Sequence, residues 1–216
     1  MEKDIQKAVA LFTLAATKEN SFAAFALGKL YLAGDAALPR DPAAALKWLT
    51  YAAELGNQFA QYRLGKLLLK GDDGIPKDVI AAIRWLTAAA KQESGYAEYA
   101  LALVYLTGED APKDSVKALS LLKRSAGRGN QFAQYRLGKL LLQGEDAPKD
   151  VKAAIRWLTA AAEQGNQYAQ YALGKLYLLG KEVPKDRSSA IKWFQLATDQ
   201  GNEYAQYFLK HMDDRL

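Results

Sequence analysis

Apolar residues recur along this chain at the spacing of an α-helix, in stretches separated by short polar loops. In one stretch Ala60, Leu64 and Leu68 follow one another at four-residue intervals, which places them on one helical face. The next stretch repeats the pattern with Ala82 and Ala89. Small residues at these positions let two helices approach closely. The pattern therefore predicts paired amphipathic helices.

This pair of helices is repeated along almost the whole chain. A Leu-Gly pair marks the first helix of each copy at Leu27-Gly28, Leu64-Gly65, Leu137-Gly138 and Leu173-Gly174, with the variants Leu101-Ala102 and Leu209-Lys210. Successive copies lie 37 or 36 residues apart. The extra residue of the longer copies falls in the loop, so both helices stay in phase. Periods of this length are typical of helical solenoids.

Each helix is bounded by residues suited to its ends. In the copy that begins at Asn130, this side chain can cap the first helix, called helix A, and Gly144 can end it in a left-handed conformation. After Pro148, Asp150 can cap the second helix, called helix B, which ends at Gly165. The same residue types recur in the other copies.

One joint departs from this pattern. Glu93 and Ser94 stand where Gly and Asn stand elsewhere. Ser94 can still cap the following A helix, but the turn loses its glycine. We therefore expect a looser or differently angled joint at this point.

The copies predict twelve helices in one solenoid over residues 1–216. Their expected bounds are a leading B helix at 4–18, full hairpins at about 20–56, 57–93, 94–129, 130–165 and 166–201, and a closing A helix at 202–212. No linker or low-complexity segment interrupts them. Because the chain starts on an unpaired B helix, we expect it to be a piece of a longer protein.

Composition narrows the possible functions. Half of the residues are apolar, enough for a sizeable core, and the net charge of +5 is weaker than the clustered basicity of a dedicated nucleic-acid binder. The sequence contains no cysteine, which excludes disulfides and thiolate zinc sites. A basic region followed by a long apolar run is missing at the N-terminus, and no window is apolar enough to span a membrane. We expect a cytoplasmic protein.

The repeated pattern resembles the Sel-one-like repeat (SLR) family, a branch of the tetratricopeptide-like helical repeats. The matching motif is A-x-x-x-L-G-x-x-[YL]-x-x-G, then P-K-D, then A-x-x-W-x-x-x-A-A-x-x-G, over essentially the whole chain. The resemblance implies an all-α, right-handed superhelical solenoid of antiparallel hairpins with A helices on the concave side. It also implies a scaffold or adaptor that binds proteins or peptides without catalysis.

Two subgroups of the family bear on this chain. Secreted members carry a disulfide in each repeat, and this chain departs from them because it has no cysteine. Similar repeats are also appended to larger bacterial proteins, including ones that mobilise DNA.

A tryptophan recurs in most B helices, at Trp48, Trp85, Trp157 and Trp193, with Leu121 and Leu11 in its place elsewhere. One tryptophan per repeat at a fixed register favours packing at the seam between helices A and B. The alternative is a box of aromatic residues around a ligand.

Register with tetratricopeptide hairpins places a stripe of each A helix on the concave side. The candidate ligand-binding residues are Phe25, Lys29, Phe59, Tyr62, Lys66, Tyr99, Leu103, Phe132, Tyr135, Lys139, Tyr168, Tyr171, Lys175, Tyr207 and His211. They form an aromatic ladder beside a lysine ladder, which Leu103 interrupts. This pattern favours an acidic peptide or a terminal carboxylate as ligand. The alternatives are tyrosines that wedge between successive A helices and lysines that form a solvated face.

Other functional classes fit less well. Single-stranded nucleic acid is an alternative ligand, because aromatic side chains can stack on its bases and cations can neutralise its phosphates. The same residue types recur in each repeat, however, so the repeats provide no varied code for reading a base sequence. For an enzyme, the chain offers neither a phosphate-binding loop nor a nucleophile beside a base. His211, the single histidine, has only Asp213 and Asp214 near it, too few for a metal site. We expect no cofactor.

Two further possibilities stay open. The segment NQFAQYRLGKLLL occurs unchanged at 57–69 and 130–142, which fits recent duplication or a repeat protein engineered towards consensus without an evolved ligand. End-to-end association is the other, through the flank of the leading helix that carries Ile5, Val9 and Phe12.

Overall fold

The structure is a computed structural model that describes residues 5–71 and 74–212. Within these residues there are twelve helices: α1 (Ile5–Ala16), α2 (Ser21–Ala33), α3 (Pro42–Glu54), α4 (Gln58–Lys70), α5 (Val79–Lys91), α6 (Gly95–Thr107), α7 (Ser115–Gly127), α8 (Gln131–Gln143), α9 (Val151–Glu163), α10 (Gln167–Leu179), α11 (Arg187–Thr198) and α12 (Glu203–Lys210). The even-numbered helices are A helices and the odd-numbered ones are B helices. Residue 4, the expected start of the leading helix, lies outside the described residues.

The predicted caps of both helix types are confirmed. At the start of α8, Oδ1 of Asn130 accepts a hydrogen bond from the Ala133 N–H at 3.1 Å. At the start of α9, Oδ1 of Asp150 accepts one from the Ala153 N–H at 2.9 Å. These caps satisfy N–H groups that have no partner within the helix, and they define where each helix begins.

The joint before α6 differs from the prediction. Ser94 makes no capping hydrogen bond through its side chain, so its predicted role is wrong. The turn itself is preserved, because Glu93 adopts a φ of 68° where the glycine of four other joints adopts 83° to 88°. The Ser94 N–H donates to the Ala89 carbonyl at 3.1 Å, as the Asn57 N–H donates to Ala52 at 3.0 Å. The hydrogen bond of this turn therefore matches that of a glycine joint, and a looser or differently angled joint stays a prediction.

Loop length changes the conformation of the glycine that ends helix A. In the 36-residue repeats this glycine is left-handed, as predicted, with φ 75° and ψ 15° at Gly144. In the longer loop Gly71 keeps a positive φ of 66° but has an extended ψ of 154°. This region of backbone conformation is almost restricted to glycine, and here it accommodates the additional residue.

The chain divides into two compact units, Met1–Lys113 and Asp114–Leu216. In the first unit α2 packs on α3 and α4 on α5 as hairpins, while α1 packs on α2, α3 on α4 and α5 on α6. In the second unit α8 packs on α9 and α10 on α11, while α7 packs on α8, α9 on α10 and α11 on α12. The predicted all-α architecture of repeated hairpins is confirmed.

In the hairpins that carry a tryptophan, the residue that follows it closes the seam. Leu86 is fully buried, whereas Trp85 is partly buried and packs against the edge of the core. A Cβ on Gly65 would lie 2.6 Å from Cγ of Leu86, so the Leu86 side chain packs directly against the backbone of the glycine. The predicted packing of the tryptophan at the seam is confirmed in part, because Trp85 packs against the core from its edge while Leu86 fills the seam itself. The Arg84 guanidinium lies 4.6 Å from the centre of the Trp85 ring, so the ring also contacts a cation.

A buried glutamine links successive hairpins. Nε2 of Gln134 donates to the Ala126 carbonyl at the end of α7, at 3.1 Å. Its Oε1 accepts a hydrogen bond of 2.7 Å from Nε2 of Gln164. Gln61 and Gln170 repeat the arrangement. The glutamine thus joins one B helix to the next through the intervening A helix.

Candidate ligand-binding grooves

The aromatic ladder consists of pairs of rings from successive A helices. Tyr62 lies 5.9 Å from Tyr96, and Tyr135 lies 6.0 Å from Tyr168, measured between ring centres. In each pair the first ring is half-buried and the second is exposed, 58% for Tyr96. One ring therefore fills the space between helices, while its partner offers surface. The first ring of a pair thus fits the interpretation of a wedge between A helices, and the second ring fits that of a surface for a ligand.

Two members of these pairs were missed in the sequence. Tyr96 and Tyr204 stand one repeat after Phe59 and Tyr168, and Tyr204 lies 6.0 Å from Tyr171. The repeat spacing was the signal that could have found them.

Lysines lie beside the half-buried rings. Nζ of Lys66 is 5.9 Å from the centre of the Tyr62 ring, and Nζ of Lys139 is 5.8 Å from that of Tyr135. Lys29 is placed in the same way over Phe25, at 5.7 Å. These distances are within the range of cation–π attraction. A lysine therefore accompanies the half-buried ring in α2, α4 and α8.

Burial also affects the chemistry of one tyrosine. Loss of water around the Tyr62 hydroxyl raises its pKa, and the neighbouring Tyr96 raises this pKa further, while the Arg63 charge opposes the change. The Tyr62 phenol is therefore neutral at physiological pH and can donate a hydrogen bond.

In the second unit, α8 and α10 form a groove of about 340 Å³. Four predicted residues line it, namely Tyr135, Lys139, Tyr171 and Lys175. The other lining residues are Leu142, Gln143, Ala172, Leu176, Leu179, Lys181 and Glu182. Nζ of Lys149 pairs with the Glu182 carboxylate at 2.8 Å. The groove therefore has an apolar lining with cationic groups around it. We call it the apolar groove.

In the first unit, α2, α4 and the loop after α2 form a groove of about 530 Å³. It is lined by Leu32, Ala33, Arg40, Arg63, Lys66, Leu67 and Lys70. Four of these side chains are cationic, and none of the lining residues in the described part of the chain carries a carboxylate. Of the four, only Lys66 belongs to the predicted site. We call this the basic groove.

The other ten predicted residues lie outside both grooves as the described residues define them. Phe25, Phe59, Tyr62 and Tyr168 belong to the ring pairs, and Lys29 accompanies Phe25. Tyr99 and Leu103 are half-buried in α6, Phe132 is exposed in α8, and Tyr207 stacks with His211.

His211 is engaged by its own helix end. Its ring centre lies 4.3 Å from that of Tyr207, and Nδ1 is 2.9 Å from the Tyr207 carbonyl oxygen. Asp213 and Asp214, considered with it in the sequence, lie outside the described residues. Within residues 5–71 and 74–212, no three His, Cys, Asp or Glu side chains cluster closely enough to hold a metal ion.

The exposed side of α1 bears on the predicted end-to-end association. In α1, Val9 packs against the core of the first unit, so the predicted apolar flank is partly used. Leu11 and Leu14 are instead 58% exposed.

Over the part of the chain that is described, every helix is too short or too polar to cross a membrane.

The repeat register agrees with comparisons to known proteins. The Sel1 repeat profile matches residues 1–20, 21–57, 58–94, 95–130, 131–166 and 167–202. The comparison with curated proteins gives no significant match.

Among solved structures, the chain is similar to a protective antigen that is present in uropathogenic Escherichia coli strains and displays an SLR fold. The two are 33% identical, with a TM-score of 0.86, and the match covers 96% of this chain and 44% of that protein. It is also similar to a Sel1 repeat protein from Oxalobacter formigenes, with 33% identity and a TM-score of 0.85 over 97% of this chain and 60% of that one.

A third similar structure, an immunity protein from Pseudomonas aeruginosa, is 22% identical with a TM-score of 0.56, over 86% of this chain and 68% of that one, and shares the fold alone. The chain thus spans about half the length of the two proteins most like it among these three, which cover 44% and 60%. With six matched repeats and the hairpin architecture of the solved SLR proteins, the chain belongs to the Sel1 repeat family.

Proposed function

We propose that this chain is a non-catalytic scaffold that binds a peptide or protein segment on the surface of its A helices. The observation that carries the proposal is the apolar groove, where two successive A helices bring Tyr135, Lys139, Tyr171 and Lys175 together. Aromatic surface beside cations is the composition that protein interfaces use for contact area and steering.

The family supports a binding role over catalysis. Sel1 repeats commonly serve as protein-interaction scaffolds, and the residues that resemble catalytic groups have structural partners here. Asp150 accepts a backbone N–H at 2.9 Å as a helix cap, and His211 is stacked on Tyr207. Cytoplasmic location stays a prediction from the sequence.

A selection from a random peptide library on the full chain tests the proposal. Selected peptides are then measured by fluorescence anisotropy against the wild type and against Lys139→Glu/Lys175→Glu. We expect binding to fall at least tenfold, because two attractive charges at the groove become repulsive. The charge-matched control is Lys123→Glu/Lys152→Glu, which places the same change on B helices α7 and α9 and should leave binding unchanged.

Tyrosine substitutions are less suitable for this test. Tyr135 and Tyr171 are half-buried, so Ala at these positions would disturb the packing between helices as well as the ligand. Equal affinity of the wild type and the Lys139→Glu/Lys175→Glu variant for every selected peptide would contradict binding at the apolar groove, which carries the proposal. Displacement of the peptides by a single-stranded oligonucleotide would favour the nucleic-acid alternative.

A further inference from the structure

The basic groove and the apolar groove occupy the same place in the repeat. Each lies between two successive A helices. Leu32 of α2 corresponds to Leu142 of α8, and Lys66 and Leu67 of α4 correspond to Lys175 and Leu176 of α10. The shared residues place a lysine and two leucines at both grooves, so this framework does not distinguish them.

Two positions of the second A helix do distinguish them. Arg63 and Lys70 line the basic groove, and their equivalents Ala172 and Leu179 line the apolar one. Arg63 and Lys70 are both exposed, and Leu179 is 40% exposed. None of the three is needed to fill the hydrophobic core, so these positions are available to contact a ligand.

We propose that the residues at these two positions set the chemical preference of each groove. The basic groove binds the carboxylates of an acidic peptide segment. The apolar groove binds an aliphatic side chain that is followed by a carboxylate. This assignment rests on the proposed function, because it specifies what kind of peptide each part of the A-helix surface accepts.

The lining of the basic groove supports its part of the assignment. Arg63 presents a planar fork of N–H donors that matches a carboxylate, and Lys66, Lys70 and Arg40 add three further cations at the same groove. Binding there is mainly electrostatic between exposed groups, so it should weaken steeply as salt is raised.

The lining of the apolar groove supports the other part. Leu142, Leu176 and Leu179 offer aliphatic surface, and Tyr135 and Tyr171 add aromatic surface. Glu182, the carboxylate that lines this groove, pairs with Lys149. Lys139 and Lys175 therefore provide cations for a carboxylate of the ligand. Removal of apolar surface from water contributes most of the binding here, so salt should have a small effect.

Two synthetic peptides serve as probes, an acetylated hexaglutamate and an acetylated peptide of sequence Glu-Leu-Leu-Glu. They are titrated into the full chain with labelled leucine methyl groups, so that Leu67 reports on the basic groove and Leu176 on the apolar groove. We expect hexaglutamate to shift the Leu67 signal and the leucine peptide to shift the Leu176 signal. Raising salt tenfold should weaken the first at least tenfold and the second by a clearly smaller factor.

Exchanging the residues of the two grooves makes the test specific. Arg63→Ala/Lys70→Leu should weaken hexaglutamate at Leu67 at least tenfold and create binding of the leucine peptide there. Ala172→Arg/Leu179→Lys should do the reverse at Leu176. Circular dichroism confirms that each variant folds, and the untouched groove within each variant is the internal control.

Three results would overturn the assignment. The first is unchanged hexaglutamate affinity at Leu67 in Arg63→Ala/Lys70→Leu, and the second is the absence of any shift at both reporters in the wild type. The third is a single-stranded oligonucleotide that binds at Leu67 more tightly than hexaglutamate. In each case the library selection still decides separately whether the A-helix surface binds peptides at all.

Discussion

Gly138 of α8 and Leu158 of α9 meet so closely that a Cβ on the glycine would lie 2.7 Å from Cγ of the leucine. The same would-be Cβ lies 3.1 Å from the Ala154 carbonyl oxygen, so neither the side chain nor the backbone of α9 leaves room for a methyl group. Leu158 is fully buried, which means that it fills the space that the missing side chain leaves open.

Gly138→Ala should therefore destabilise the protein by about 1–3 kcal/mol, the usual cost of inserting a methyl group into a packed core. Leu158→Ala should cost about 2–5 kcal/mol through the cavity that it leaves. The double variant should cost less than the sum, because the new methyl group partly fills that cavity. Urea unfolding of the three variants measures this coupling. Strict additivity would show that the two residues are not in competition for the same space.

Gln134→Met should destabilise the protein by about 1 kcal/mol, because it removes a buried hydrogen bond to the Ala126 carbonyl. That carbonyl also accepts the Gly129 N–H at 3.0 Å, so it keeps one partner and the loss stays moderate. The matched control is Gln164→Met, which removes an exposed donor to the same glutamine. Thermal unfolding should show a clearly larger effect for Gln134, and equal effects would contradict the linking role of the buried side chain.

Glu19→Gly should stabilise the protein by up to about 1 kcal/mol, because an L-residue in the left-handed region is strained and glycine is not. Glu19 has φ 62°, and it occupies the turn position that Gly165 fills with φ 88°. Gly165→Ala is the opposite change, and it should destabilise by a similar amount. No atom lies within 4 Å of a Cβ at Gly165, so its effect reports on backbone conformation without a steric clash. Shifts of the same sign in both variants would refute this explanation.

Protonation of Asp186 should weaken the cap of α11. The Ser189 hydroxyl donates to its carboxylate at 2.6 Å and, with the Ser189 N–H, holds the pKa of Asp186 below its ordinary value. A lowered folded-state pKa adds stability above the unfolded-state value of about 3.9, and this contribution is lost as pH falls through the folded-state pKa.

Ser189→Ala should raise the pKa of Asp186 and reduce this pH dependence, as followed by NMR titration of the carboxyl carbon. Ser188→Ala is the control, since the side chain of Ser188 is not among the groups that lower this pKa. An unchanged titration in Ser189→Ala would contradict the assigned hydrogen bond.

Self-association through α1 is a further prediction that concentration can test. Leu11 and Leu14 are 58% exposed, and an apolar pair of this kind is suited to contact a second copy. Light scattering at increasing concentration should show dimers that the variant Leu11→Lys/Leu14→Lys lacks. A monomer at every concentration would exclude this mode for the present chain.

Most of the fold could be predicted because it depends on local chemistry that the chain repeats. Asn130 and Asp150 mark helix starts, and the Leu137-Gly138 pair marks the packed face of helix A. Equivalent residues mark the same features in most of the other copies. Ser94 was an error. Its residue type permits a cap, but its side chain makes no capping hydrogen bond, although its backbone has the same extended conformation as that of the capping Asn57.

The sequence by itself determined the helix pairs, the Asn and Asp caps and the loops that absorb an extra residue, and it identified part of the aromatic ring pairs. Tertiary structure decided which ring of each pair is exposed, that Leu86 and not Trp85 closes the seam, and that Arg63 lines a groove with Lys66. Periodicity specifies where a residue lies around its own helix, and so it predicts what any helix can bury. Neighbouring helices decide what is buried in fact, because a groove forms only where two helices and a loop converge.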